Sequence, residues 1–486
     1  MNRSQVIVSQ GKSGIRTARR HTIQVRTANF LGLLLHELCG CGRSRPRQTW
    51  RMRVAAAAFV GTGTLIWPSA SHAQYVQTYF PSGVPGYDEE FGVTVLSRQR
   101  PLYEQAGVQA GSFITRMGLD ESIGYNSNVL GTHSGPGSWV LQTSPSLSAN
   151  SDWSRNSLGL NLTLDNYKYW NTSQQSHSDW TASIGGGYTV GSHDLTLAYS
   201  HLSLHQSPGE IGAVPSDTFV HYQVDDLRSD YTFDLGRFTF TPNVDAKVYH
   251  FDSTTEQGVF VGQQYRDRVV LSGGVTTRYA LSDQRGLVFV LQGADSHFYQ
   301  PQPMQPDYDS HSFLALGGID YPASGVWRYQ ILAGWEVREF QAPQFQTHSA
   351  PIVEGSVIWT PTGLTTVTGL LSRTLEDTVA EGTAGYTYTN AQLKVDHELM
   401  RNVLLQGRAG LQIAQYLQSG ATQTMVTFGG GVTWLMNRNM RLTANYDFTS
   451  QASGTSQQPV GMSNLATVST ESYERNLLLI TLHFGL

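Results

Sequence analysis

From Gly111 to Leu486 the chain reads as roughly eighteen segments of about ten to fifteen residues, each alternating in polarity, the pattern of a tilted membrane strand. A side-chain period of two is the mark of a strand with two unlike faces. In Arg441 to Phe448, Leu442, Ala444, Tyr446 and Phe448 face one way and Arg441, Thr443, Asn445 and Asp447 the other. In Val326 to Phe340, Trp327, Ile331, Trp335 and Val337 oppose Arg328, Gln330, Glu336 and Arg338. In Arg237 to Phe251, Phe238, Phe240, Val244 and Val248 oppose Thr239, Thr241, Asp245 and Lys247. The stretch Leu287 to Tyr299 is apolar on both faces, so its orientation cannot be read.

The connections alternate too. Tight turns at Val190 to His193, Leu235 to Arg237, Ser282 to Gly286, Pro322 to Val326, Thr360 to Gly363, Leu399 to Asn402 and Met436 to Asn439 interleave with long polar loops. Those loops include His205 to Ser216, Asp252 to Tyr265, Gln300 to Ser310, Glu376 to Gly385 and Ser450 to Glu471. A β-sandwich imposes no such order, whereas an outer-membrane barrel keeps short turns in the periplasm and long loops outside. The expected fold is all-β: a transmembrane antiparallel up-and-down β-barrel of about 18 strands, with 16 or 20 also satisfying the even count. Asn476 to Leu486 is its closing strand, with Leu478, Ile480, Leu482 and Phe484 toward lipid and His483 toward the lumen.

Composition agrees. Gly (49) and Tyr (23) are abundant, charged residues make up only 14%, and the body has no run near the ~20 apolar residues of a membrane helix. Aromatic pairs at segment ends, Trp180 with Tyr188, Trp327 with Trp335 and Phe428 with Trp434, have the spacing of two interfacial girdles. The triplets Gly185 to Gly187 and Gly429 to Gly431 suit a curved sheet; no Lys-Ser/Thr and helix follow them, as a phosphate loop would need.

Residues 1–73 read as a leader. Arg51 and Arg53, the apolar run Val54 to Trp67 and small residues up to Ala73 form a secretory signal, and Met52 could itself begin it. Residues 74–110 then form a periplasmic N-terminal segment and 111–486 the barrel. Both cysteines, Cys39 and Cys41, lie in the leader, which removes disulfides and thiol chemistry from the mature chain. The leader carries eleven basic residues and one acid, so its loss moves the net charge from −5 to −15. Nucleic acid is therefore excluded as a partner, because phosphate neutralisation needs basic surface.

No constellation for chemistry emerges. His201 and His205 are four apart, about 13 Å along a strand, too far to share a metal. Asp225 and Asp226 point to opposite faces, and no Gly-x-Ser-x-Gly is present. No catalytic residue, metal or cofactor is expected, and the protein is not expected to be an enzyme. What stands out is the inward face: Asp245, Lys247, Arg268, Arg278, Arg328, Glu336, Arg338, Arg408, Arg441 and Asp447 lie opposite lipid-type residues. Facing lipid at mid-bilayer, each Arg or Lys would cost about 2–4 kcal/mol, so these groups belong in the lumen. There they either brace the wall by pairing or line a wet channel for an ionic or polyhydroxylated solute. The loop Ser450 to Glu471 is long enough to fold inward and gate it.

One stretch is motif-like: Val95-Leu-Ser-Arg-Gln-Arg-Pro-Leu-Tyr103, then Gly107, Gly111-Ser-Phe113 and Tyr125-Asn-Ser-Asn128. It resembles the putative β-barrel porin 2 family of bacterial outer-membrane proteins, in which an Arg-x-Arg-Pro-x-Tyr stretch precedes Gly-Ser-Phe and the first strand. The chain departs from that pattern at Arg116-Met117 and at Leu486, where an aromatic is common. Members are often associated with exopolysaccharide or capsule operons. The resemblance implies a Gram-negative outer-membrane location, a channel for passage or export of extracellular polysaccharide or its fragments, and as partners outer-membrane lipid, the barrel assembly machinery and the solute. A general small-solute porin, a plugged structural or adhesive barrel, and a barrel enzyme are the alternatives.

Overall fold

The computed structural model describes residues 79–486 except 82, 88–93, 215, 283, 301–306, 322–324, 378–384, 418–419 and 454–471. The leader, its cleavage site, Met52 and most of the Ser450 to Glu471 loop lie outside the described residues.

Eighteen long strands follow one another in the chain. They are β1 (Phe113–Asn126), β2 (Ser138–Ser151), β3 (Ser157–Tyr169), β4 (His177–Val190), β5 (His193–Gln206), β6 (Val220–Leu235), β7 (Phe238–Phe251), β8 (Arg268–Ser282) and β9 (Arg285–Phe298). The second half comprises β10 (Ser310–Tyr321), β11 (Trp327–Phe340), β12 (His348–Thr362), β13 (Thr365–Asp377), β14 (Gly385–Met400), β15 (Val403–Tyr416), β16 (Thr422–Leu435), β17 (Met440–Ser453) and β18 (Tyr473–Gly485). Each pairs antiparallel with its sequence neighbours, and β18 returns to β1 with Ile480 opposite Ile123. The ring is thus closed, and no backbone edge is left to face lipid, as a membrane requires. Beyond the last strand residue, the Leu486 backbone still exchanges two hydrogen bonds with Met117, at 2.9 and 3.2 Å.

The connections alternate as the sequence indicates. Two residues join β4 to β5, β6 to β7, β12 to β13 and β14 to β15, while thirteen separate β5 from β6 and sixteen separate β7 from β8. The outer face is apolar over its middle: Ile184, Leu197, Phe289, Leu291, Phe313 and Ile480 are exposed there, where lipid would cover them. Trp180, Tyr188, Trp327 and Trp434 are exposed near strand ends, and Trp327 stacks on Trp359 of β12 with centroids 5.3 Å apart, whereas Trp335 and Phe428, expected at a girdle, are exposed toward the middle of β11 and β16. The ambiguous Leu287 to Tyr299 stretch resolves with Phe289 and Leu291 outward and Val288 and Val290 inward, in an apolar cluster with Leu314, Leu316, Leu332 and Ile352. The inner wall is therefore apolar along one arc, as well as charged elsewhere.

Candidate functional site in the barrel lumen

Parts of the 79–105 stretch, expected at the periplasmic side, lie against the inner face of the wall, while Val108–Ala110 form a short exposed strand paired with Phe113–Thr115 of β1. Phe80 stacks on Tyr87 at 4.7 Å, and the Arg228 guanidinium of β6 lies 4.4 and 4.8 Å from the two ring centroids. The Tyr87 hydroxyl donates to the Asp226 carbonyl at 3.1 Å, and burial beside that aspartate raises its pKa well above the ordinary phenol value. Val84, 1% exposed, packs on Ala198 of β5. Pro85 crosses β4 at Gly185, where a Cβ would stand 2.0 Å from the proline carbonyl oxygen. The glycine triplet thus admits a second backbone as well as suiting curvature.

Nearer the tight-turn end, the motif-like stretch is clamped to the opposite arc. The Val95 N–H donates to Thr366 Oγ1 at 3.0 Å, and its side chain packs on Leu404 and Leu435. Arg98 and Arg100 both pair with Glu398, Arg100 at 2.8 Å, and Arg98 also donates to the Gly363 carbonyl at 2.6 Å. Gln105 Nε2 is 2.7 Å from His483 Nε2, which puts His483 on the inner face.

The inward charges fall into separate groups. Lys247 pairs with Asp245 at 2.7 Å and with Asp226 at 3.7 Å, and Arg228 bridges Asp226 and Asp245 at 3.0 and 3.1 Å. Arg338 holds Asp377 at 2.6 Å and Glu336 at 3.3 Å, and Arg268 shares Asp377 at 3.2 Å. Arg278 pairs with Asp320 at 2.6 Å, Arg408 with Asp447 at 2.7 Å, and Arg441 Nη2 lies 3.4 Å from His483 Nδ1. Arg328 is partly buried near the tight-turn end of β11, opposite Ile358. Asp226, Arg228, Asp320 and Asp377 did not emerge from the sequence as partners. For the first two, the i, i+2 acid–base spacing of Asp226 and Arg228 beside that of Asp245 and Lys247 was the available signal, since such residues share one face of a strand.

At the long-loop end the Ser207 to Phe219 connection crosses the mouth. Its Gly209 carbonyl accepts from the Tyr473 hydroxyl of β18 at 3.0 Å, and Ile211 packs on Tyr386 and Tyr416 of β14 and β15. Asp217 ties it to the small hairpin Thr254–Glu256 and Val259–Val261 through two 2.8 Å bonds, to Thr255 and Gly258. This loop folds inward; most of the Ser450 to Glu471 loop, also expected to do so, lies outside the described residues. Beneath it lies a chamber of about 300 Å3 whose wall includes Tyr222, Tyr249, Arg266, Glu376, Tyr386 and Tyr388. Among the described residues, the hydroxyls of those four tyrosines make no hydrogen bond to protein.

His201 Nδ1, beside the outward Trp180, is 2.8 Å from Asp225, and His205 Nδ1 is 2.7 Å from Asp179. No group of three or more His, Cys, Asp or Glu fit to hold a metal occurs among the described residues.

A closed, lipid-faced antiparallel ring with short turns at one end and a loop-roofed lumen at the other defines an outer-membrane β-barrel of the porin and transporter class. The family model described as "Putative beta-barrel porin 2" matches residues 100–468, and the chain belongs to that family. Its location is the outer membrane. No curated protein sequence matches the chain. Among solved structures it is similar to the FrpB iron transporter from Neisseria meningitidis (F5-1 variant, apoprotein form; 9% identity, 78% of this chain and 82% of that one, TM-score 0.38). It is also similar to the outer membrane protein opdK from Pseudomonas aeruginosa (11% identity, 76% and 99%, TM-score 0.40) and to a bacterial polysaccharide outer membrane secretin (10% identity, 78% and 100%, TM-score 0.36). At these scores none of the three bears on what this chain carries.

Proposed function

We propose that the barrel is a conduit for extracellular polysaccharide or its fragments, with the chamber beneath the Ser207 to Phe219 loop as the place where sugar is held at the cell surface. The carrying observation is the chamber wall, in which four tyrosines offer hydroxyls without a partner among the described residues, beside charged groups at the edge of the lumen. Aromatic faces and unsatisfied hydroxyls suit a hydrated ring that is apolar on its faces and hydroxylated on its rim. The lumenal charges, braced in pairs, keep the wall polar without leaving mobile counter-charges to trap a passing chain. The conduit carries no catalytic step of its own.

The described residues of 79–105 support a closed resting state, since Tyr87 bonds Asp226 on one arc of the inner face and Arg100 pairs with Glu398 on another. Planar-bilayer recording tests the reading: low basal conductance that rises when this segment is removed is the expected outcome. Full conductance of the intact chain would favour the general small-solute porin instead.

A further inference from the structure

The strongest unassigned feature of the molecule is one guanidinium. Arg266, in the short 3-10 turn Gln264–Arg266 ahead of β8, is 1% exposed and lines the chamber. Its Nη2 donates to Gln206 Oε1 at 2.7 Å and its Nη1 reaches Gln263 Oε1 at 3.5 Å, both neutral acceptors. Its plane covers the Phe251 ring at 3.9 Å. Its Nε is buried with no hydrogen-bond partner.

Arg228, Lys247, Arg268, Arg278, Arg338 and Arg408 each pair with a carboxylate. Arg266 has none within ion-pair distance among the described residues. Its sequence neighbour Asp267 is engaged elsewhere, accepting from the Phe251 N–H at 2.7 Å and lying 2.8 Å from His250 Nδ1. Burial lowers the Arg266 pKa to about 10, so the group stays charged at neutral pH. A buried charge without a counter-charge costs several kcal/mol, and an orphaned donor adds to that cost. An arriving anion relieves both.

We infer that the chamber binds a sugar ring bearing a single carboxylate, with Arg266 as the group that holds the carboxylate. This rests on the glycan reading above and adds the charge of the substrate. A monoanion matches the one fully buried cation of the chamber that lacks a carboxylate among the described residues; a phosphate monoester would bring a second negative charge beside Glu210, Glu376 and Asp377, which line the chamber together with Arg268 and Arg475. The hydroxyls of Tyr222, Tyr249, Tyr386 and Tyr388 then meet the ring hydroxyls, while Arg266 makes a charge-assisted bond.

The test uses the full chain in detergent, titrated by calorimetry with glucuronosyl-xylobiose and, as the uncharged counterpart, xylotriose. The acidic trisaccharide is expected to bind about tenfold or more tightly than the neutral one, and Arg266→Gln is expected to abolish the difference. Equal binding of the two, unchanged by Arg266→Gln, overturns the inference and leaves the glycan reading standing. Binding of neither overturns both. Should Arg266→Gln lose the heat-modifiable gel shift of a folded barrel, the wild type still decides. Affinity for the acidic sugar alone must then fall as salt is raised, and salt-insensitive binding overturns the inference.

Discussion

Gly185→Ala gives the sharpest handle on the lumenal segment, because it perturbs the contact without removing any group that makes it. The new methyl would stand 2.0 Å from the Pro85 carbonyl oxygen and 2.9 Å from Val84 Cγ1, so the 79–87 segment must move by more than an ångström. Full burial of a valine contributes about 2 kcal/mol, each cation–π contact about 1 kcal/mol, and the Tyr87 hydrogen bond about 1 kcal/mol. A shift of that size forfeits roughly half of the total, about 2–3 kcal/mol, since dispersion contacts and hydrogen bonds both fade within an ångström. The released population then rises roughly 30- to 150-fold. The barrel itself loses nothing, as alanine is at least as good as glycine in a strand. The assay is maleimide labelling of Val84→Cys, which is clean because Cys39 and Cys41 both lie in the expected leader. Faster labelling in the Gly185→Ala background, with the heat-modification temperature unchanged, is the expected result. Equal labelling rates would refute a segment seated on β4.

Glu398→Gln removes the shared acceptor of Arg98 and Arg100 and is expected to increase the frequency of opening events in planar bilayers, with stability of the barrel little changed. Arg338→Ala removes the cation beside the fully buried Glu336 and leaves Asp377 to Arg268 alone, and is expected to destabilise the barrel by about 3 kcal/mol, read as a lower heat-modification temperature; the double change with Glu336→Gln should recover part of it. Gly212→Ala meets both a positive φ of 75° and the Tyr386 hydroxyl at 2.9 Å, so it is expected to lift the crossing loop and raise its protease sensitivity.

The ring was legible because its two constraints are local. Alternation along Val326 to Phe340 or Arg441 to Phe448 follows from a lipid face opposing a wet one, and short turns alternating with long loops follow from an up-and-down path. The stretch at Val288 to Leu291 was not legible, because its lumenal face is apolar too and the period-two signal vanishes. Nor was the position of the described residues of 79–105, since what seats them lies far away in sequence: Gly185, Arg228, Thr366 and Glu398. Charged lumenal residues could be named one strand at a time, but their partners depended on register, as with Arg338 and Asp377, thirty-nine residues apart. Arg266 escaped notice for the same reason: it sits in a loop, where no alternation marks it, and its significance comes from the lack of a carboxylate at ion-pair distance among the described residues.

Secreted polysaccharide is the quantity that bears most directly on the conduit. In a strain lacking the gene, extracellular polysaccharide should fall sharply while material accumulates inside the envelope, and the wild-type gene supplied in trans should restore export. Undiminished export from the deletion strain would contradict the proposal.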